Sequence, residues 1–100
     1  MARILLIEDS PTETAVMVQL LQRNGHDVTT SGSAEDGIET CRRVKPDVVL
    51  MDVILPGMNG FQATRLLSRD AETKHIPVLI VSTKGLDTDR VWGMRQGAKD

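Results

Sequence analysis

Three short apolar runs dominate the chain, at residues 4–7, 48–51 and 78–81. Each run is continuous rather than alternating in polarity, which is typical of strands that helices bury on both faces. A weaker strand is predicted at residues 26–30. Because helical patterns separate these segments, the order β-α-β-α-β-α-β-α predicts parallel strands joined by right-handed crossovers.

The segments between the predicted strands contain helix start and stop signals. The first helix begins at Ser10-Pro11, where Ser10 can cap the helix and Glu13 can complete a capping box. The second begins after Ser33, and the third and fourth span about residues 60–69 and 88–96. The side chains predicted to face the core are Met17, Leu20 and Leu21 in the first helix, Ile38 and Cys41 in the second, and Phe61, Leu66 and Leu67 in the third.

Composition indicates a soluble protein with one domain, predicted over residues 1–100. The net charge is −2 and the aromatic side chains are one Phe and one Trp, which argues against nucleic-acid binding. No apolar run approaches the ~18 residues of a membrane helix, so no membrane insertion is expected. A single cysteine, Cys41, excludes an internal disulfide and favours a reducing, cytoplasmic location.

Acidic side chains follow two of the apolar runs, and a hydroxyl follows another. Glu8 and Asp9 come directly after the first run, Asp52 after the second and Ser82 after the third. Because ligands bind outside the carboxyl ends of strands in open α/β sheets, these side chains are expected to meet at one edge. Clustered carboxylates repel one another unless a cation intervenes, and Mg²⁺ prefers such oxygen ligands. One cysteine and two scattered histidines cannot supply a zinc site.

A carboxylate beside Mg²⁺ can attack phosphorus and form an aspartyl phosphate. Taken singly, Asp52 is as typical of a solvated loop as of an active site, and Ser82 is a reasonable turn residue. The joint pattern with Glu8 and Asp9 favours the functional interpretation.

Several motifs together resemble the receiver domains of two-component response regulators. They are residues 7–10 (IEDS), 46–52 (PDVVLMD), 55–60 (LPGMNG) and 77–82 (PVLIVS). The resemblance extends over the whole chain and joins these motifs in the family's order. It implies an open, parallel, doubly wound, flavodoxin-like α/β fold with strand order 2-1-3-4.

The resemblance also implies a role for each site residue. Asp52 is expected to be the phosphoacceptor and also a ligand of Mg²⁺, and Asp9 is expected to be a direct ligand of the metal. Glu8 is expected to act on the metal through water, and the backbone carbonyl of Ile54 to be a further ligand. Ser82 is expected to be the switch hydroxyl that reorients toward the phosphoryl group.

Two features of the family are missing from the chain as given, namely a lysine at the end of a fifth strand that contacts the phosphoryl group and an aromatic switch residue in that strand. The fifth strand and the fifth helix are themselves absent. An exposed edge at the fourth strand is therefore expected, and the 100-residue form is expected to dimerise or aggregate through it. Residues 56–65 and 89–98 resemble the small receivers of type IV pilus chemosensory systems. The implied partners are a histidine kinase as phosphodonor and a downstream protein target.

Two other functions share this fold class. A phosphohydrolase with an aspartate nucleophile needs a second acid two residues after the nucleophile, where this chain has Ile54. A flavin- or nucleotide-binding module needs a glycine-rich phosphate loop after the first strand, where this chain has acidic residues instead. The hypothesis retained from the sequence is a signalling receiver rather than an enzyme.

Overall fold

The computed structural model describes residues 1–81 of the chain. Its strands are β1 (Arg3–Ile7), β2 (Asp27–Ser31), β3 (Val48–Asp52) and β4 (Val78–Val81), and its helices are α1 (Pro11–Arg23), α2 (Ala34–Val44) and α3 (Gly60–Arg69). The alternation of strands and helices predicted from the sequence is confirmed over this range. The predicted fourth helix, and any fifth strand or helix, lie outside the described residues.

The four strands form one parallel sheet in the order β2-β1-β3-β4, as predicted. β1 is an inner strand, and its last residue, Ile7, is level with Ser31 of β2 and with Met51 of β3. Because all four strands run in the same direction, the residues that follow them emerge at one edge of the sheet. The register of β1 and β3 brings the sequence after Ile7 beside the end of β3.

Helices cover both faces of the sheet, which confirms the doubly wound architecture. Side chains alternate along each strand, so neighbouring apolar residues enter different cores. The core beneath α1 includes Ile4, Leu6, Met17, Leu50 and Val81. The core beneath α2 and α3 includes Leu5, Ile7, Ile38, Cys41, Val49, Met51, Ala63, Leu67 and Val78. This two-sided burial explains why the strand sequences are continuously apolar.

Two of the predicted core positions are wrong. Leu20 is 51% exposed in α1 and Leu66 is 45% exposed in α3, although both are large apolar residues. The inward face of α1 is instead formed by Met17 with Val18 and Leu21, which pack against the sheet. In α3 the buried positions are Gly60, Ala63, Thr64 and Leu67. Small residues were not predicted there because hydrophobic size alone does not show how closely a helix approaches a sheet.

Helix capping follows the sequence in part. Ser10 is the N-cap of α1 and its hydroxyl accepts a hydrogen bond from the Glu13 amide, while Pro11 occupies the first turn. The capping box predicted there is only half formed, because the Ser10 amide donates to Oε2 of Glu8. A complete capping box occurs at α3, between Asn59 and Gln62. None of the helices within residues 1–81 has the length and hydropathy of a membrane span.

Charged contacts join α2 to the segment between α3 and β4, at the end of the sheet away from the acidic residues. Nε of Arg42 donates to a carboxylate oxygen of Asp70 at 2.6 Å, and Nζ of Lys45 lies 3.3 Å from Glu72. The backbone amide of Glu72 and the Arg42 guanidinium hold the pKa of Asp70 below its ordinary value. These pairs are solvent-exposed, so they orient the segment more than they stabilise it.

Cys41 is fully buried in α2, as predicted for a small apolar residue. Burial raises the pKa of its thiol from 9.0 to about 11, with Lys45 opposing and Asp70 adding to the shift. The protonated thiol is thus favoured in the folded chain. The stability that the folded chain gains from keeping this thiol protonated is fully present below pH 9.0. It is lost as the pH rises toward 11.

We therefore expect native Cys41 to react with iodoacetamide much more slowly than an ordinary thiol at about pH 8, because the thiolate is disfavoured and shielded. The rate should be measured by mass spectrometry on the folded protein. The same reaction in denaturant is the control and should be fast. Equal rates in the two conditions would show that the thiol is accessible in the native state.

Candidate functional site

Three carboxylates meet at the carboxyl edge of the sheet, as the sequence predicted. Glu8 and Asp9 directly follow β1, and Asp52 is the last residue of β3. One carboxylate oxygen from each residue lies within 4.8 Å of the others. Glu8 and Asp52 are 3% and 2% exposed, whereas Asp9 is exposed to solvent. The cluster therefore has two buried acids and one open to solvent.

The donor chemistry of this cluster fits a hard divalent cation. Buried carboxylates that lie this near one another repel, and a cation between them offsets both the repulsion and the cost of burial. Octahedral Mg²⁺ binds oxygens at about 2.0–2.1 Å, so its ligands lie roughly 3–4.2 Å apart. The observed spacing is compatible with these values after small side-chain movements or with bridging water. The ligands are all oxygens, which suits Mg²⁺ better than zinc.

Glu8 is held by the residues around it. Its backbone amide donates to the carbonyl of Ser31 at 3.0 Å, which extends the ladder between β1 and β2 by one bond. Its carboxylate accepts from the Ser10 amide at 2.9 Å, at the start of α1. This second bond gives the side chain a fixed orientation and places one oxygen at the positive end of a helix.

Asp52 is positioned by the backbone that follows it. The Val53 amide donates to the carbonyl of Val81 at 3.2 Å, and the Gly60 amide donates to the carbonyl of Val53 at 3.0 Å. α3 therefore begins directly against the end of β3. A Cβ atom on Gly60 would lie 2.2 Å from the carbonyl oxygen of Asp52, so only glycine allows this approach.

The loop between β3 and α3 contains Ile54, two residues after Asp52. This residue is 61% exposed, although it is large and apolar. Gly57 in the same loop has φ +76°, and Glu35 of α2 lies beside it, with Oε2 3.2 Å from the position of a Cβ atom. The loop is thus shaped by a left-handed glycine. The expected ligand role of the Ile54 carbonyl stays a prediction, and Ser82 lies outside the described residues.

Comparison with known proteins identifies the family. The response regulator receiver domain matches residues 4–100 of the chain. The chain belongs to the response regulator receiver family. The protein PilH of Pseudomonas aeruginosa is 56% identical to this receiver over 100 residues, all of this chain and 83% of that protein. The transcriptional regulatory protein AfsQ1 of Streptomyces coelicolor is 37% identical over 100 residues, again all of this chain but 43% of that longer protein.

Solved receiver structures share the fold. The N-terminal domain of a response regulator receiver protein from Methanoculleus marisnigri matches with a TM-score of 0.80 and 34% identity, over 86% of this chain and 70% of that one. The receiver domain of the sensor histidine kinase PA1611 of Pseudomonas aeruginosa matches with a TM-score of 0.78 and 28% identity, over the same shares. The latter structure holds a magnesium ion in its active-site cleft. The predicted family and fold class are confirmed.

Sequence reasoning missed several residues that support the site of this receiver. Gly60 belongs to a recognised motif, but the motif did not show that its lack of a side chain lets α3 reach the carbonyl of Asp52. The Ser10 amide was assigned to Glu13, and its bond to Glu8 was not foreseen. Ser31 was not considered, although the Ser-Gly-Ser sequence that starts at the last residue of β2 signals a tight turn close to the strand ends.

We expect Gly60→Ala to destabilise this receiver by about 1–3 kcal/mol, because the added methyl group forces α3 away from the end of β3. Urea unfolding measures the loss. Gly32→Ala is the matched control, since no heavy atom lies within 4 Å of its Cβ position and neither glycine has a positive φ. Equal stability of the two variants would contradict the close approach.

Proposed function

We propose that this receiver accepts a phosphoryl group on Asp52 from the phosphohistidine of a histidine kinase, with Mg²⁺ bound mainly by Asp9. The observation that supports the proposal is the meeting of three carboxylates at the end of two paired strands. Family membership and the magnesium ion in a related receiver point to the same chemistry.

Asp52 is the best candidate for the nucleophile. It ends a strand that lies between β1 and β4, and its backbone is paired with Val81 of β4. One of its carboxylate oxygens forms a bond to phosphorus as the bond from phosphorus to the donor's leaving nitrogen breaks. When bound, Mg²⁺ neutralises the charge between the carboxylate and the phosphoryl oxygens.

The other acids have different surroundings and therefore different proposed roles. Asp9 is exposed, so its carboxylate can replace its hydrating water with a direct contact to a hard cation. Glu8 is buried and oriented by the Ser10 amide, so it is assigned to metal-bound water. The carbonyl of Ile54 and the hydroxyl of Ser82 are proposed as a further metal ligand and as the phosphoryl-sensing switch.

An aspartate-based phosphohydrolase is the less favoured alternative. Such an enzyme places a general acid two residues after its nucleophile, and here that position holds an exposed isoleucine, Ile54. A side chain without a proton to donate cannot assist the leaving group. The proposed activity is therefore reversible modification of the receiver itself, read by another protein.

The proposed pathway is a chemosensory system of type IV pili, in which this receiver acts as a stand-alone regulator. The supporting observation is 56% identity to PilH over a span that covers 83% of that protein. In this proposal, a downstream protein distinguishes the phosphorylated from the unphosphorylated receiver.

In the full natural protein, Asp52→Asn should abolish phosphorylation by a small acyl phosphate in the presence of Mg²⁺, because the substitution keeps the size but removes the nucleophile. Mass spectrometry measures the gain of one labile phosphoryl group. Asp47→Asn is the control, since Asp47 precedes the same strand at its opposite end. Labile phosphorylation of the Asp52→Asn variant would assign the acceptor elsewhere.

Asp9→Ala should weaken Mg²⁺ binding more than Glu8→Ala, because a direct anionic ligand contributes more than one that acts through water. An NMR titration with magnesium chloride measures both dissociation constants. Asp9→Ala should also raise the melting temperature in metal-free buffer, because it removes one repelling charge. If Asp9→Ala left Mg²⁺ affinity unchanged, the metal would lie elsewhere.

A further inference from the structure

A buried polar contact lies behind the acidic cluster, where β2 meets α2. Ser31, the last residue of β2, is 5% exposed, and Thr40 of α2 is 4% exposed. The Ser31 hydroxyl lies 2.8 Å from Oδ2 of Asp36 and 3.3 Å from the hydroxyl of Thr40. Three polar side chains thus meet on the side of β2 that faces α2.

The directions of these hydrogen bonds follow from the number of available hydrogens. Ser31 has one hydroxyl hydrogen to donate. The Asp36 carboxylate is a stronger acceptor than the Thr40 hydroxyl, and it is also the nearer of the two. Ser31 therefore donates to Asp36, and Thr40 donates to the oxygen of Ser31. Removing the Ser31 hydroxyl would leave the buried Thr40 hydroxyl without this acceptor and Asp36 without this donor.

The same serine also contacts the acidic cluster through its backbone. Its carbonyl accepts the hydrogen bond from the Glu8 amide at 3.0 Å. The side chain of Ser31 is thus anchored to α2 while its carbonyl holds Glu8. The turn from β2 to α2 is short, since Ser33 already caps α2 by accepting from the Asp36 amide. Because this connection is short, Ser31 cannot move far without moving α2.

We propose that Ser31, anchored by Asp36 and Thr40, is a positioning residue that fixes Glu8 for its action on the bound metal. We call these three residues the Ser31 brace. Without the brace, the carbonyl of Ser31 and the amide of Glu8 can shift together. The Glu8 carboxylate then moves out of the position from which it acts on the metal. The inference rests on the proposed function, since it assumes that the acidic cluster binds Mg²⁺.

A purely stabilising role is the competing explanation, because any buried hydroxyl network adds to stability. Thr73 provides a matched comparison within the described residues. Its side chain is fully buried and its hydroxyl donates to the carbonyl of Leu67 at 2.7 Å, in the segment between α3 and β4. A substitution there removes a similar bond without affecting Glu8.

The decisive measurement is the Mg²⁺ dissociation constant of the full natural protein and its variants, by NMR titration with magnesium chloride. Ser31→Ala should raise it about tenfold, at the low end of effects seen for residues that orient metal ligands. Ser31→Thr keeps a hydroxyl and should stay within about twofold of the natural protein. Thr73→Val should lower the melting temperature about as much as Ser31→Ala but leave Mg²⁺ affinity unchanged.

A double-mutant cycle separates positioning from general destabilisation. In a Glu8→Gln background, Ser31→Ala should change the dissociation constant less than about twofold, because the group that it positions is already impaired. An equal effect of Ser31→Ala with and without Glu8 would overturn the inference. If Ser31→Ala fails to fold, Asp36→Ala removes the exposed end of the brace and should also raise the dissociation constant, by less than the roughly tenfold change expected for Ser31→Ala.

The outcomes also distinguish this inference from the function on which it rests. Mg²⁺ binding that is lost in Asp9→Ala but unaffected by Ser31→Ala and Asp36→Ala would overturn the Ser31 brace alone. Absence of saturable Mg²⁺ binding in the natural protein would overturn both the brace and the proposed function.

Discussion

The acidic cluster depends on the parallel pairing of β1 with β3. That pairing sets Ile7 level with Met51, so that Glu8 and Asp9 leave the sheet beside Asp52. A shift of one residue in this register would exchange the two faces of β1 and move Ile4 and Leu6 into the wrong core. Such a shift would disrupt the packing of both cores and is therefore unfavourable. The same packing thus fixes the relative positions of the acids. Stability of the core and geometry of the site are consequences of the same register.

Backbone groups refine what the strand register establishes. Gly60 lets α3 start against the carbonyl of Asp52, and Ser10 donates its amide to Glu8 at the start of α1. Both contacts lie where a strand ends and a helix is near. The Glu8 carboxylate and the Asp52 backbone thus each contact the helix that follows, in addition to the strand pairing that precedes them. In both contacts the group supplied by the helix is uncharged, so it adds order without adding to the repulsion among the carboxylates.

The sequence predicted the larger features because they rest on strong and local signals. Continuous apolar runs indicated the buried strands, and the acids after them indicated the site. Leu20 and Leu66 were misplaced because a helix can leave a large apolar side chain exposed when smaller neighbours fit the sheet. The bond from Ser10 to Glu8 was missed because two acids compete for one amide, and only the path of the chain decides between them. Ser31 was missed because its partners come from α2, whose packing angle the sequence does not specify.

The outer strand β2 gave the weakest strand signal in the sequence, and its structure shows why. Three of its five residues, Asp27, Thr29 and Thr30, are polar and exposed. An open edge of a sheet invites pairing with another chain, and shortness and polar side chains discourage it. The residues that made β2 hard to recognise therefore also protect this edge of the receiver against aggregation.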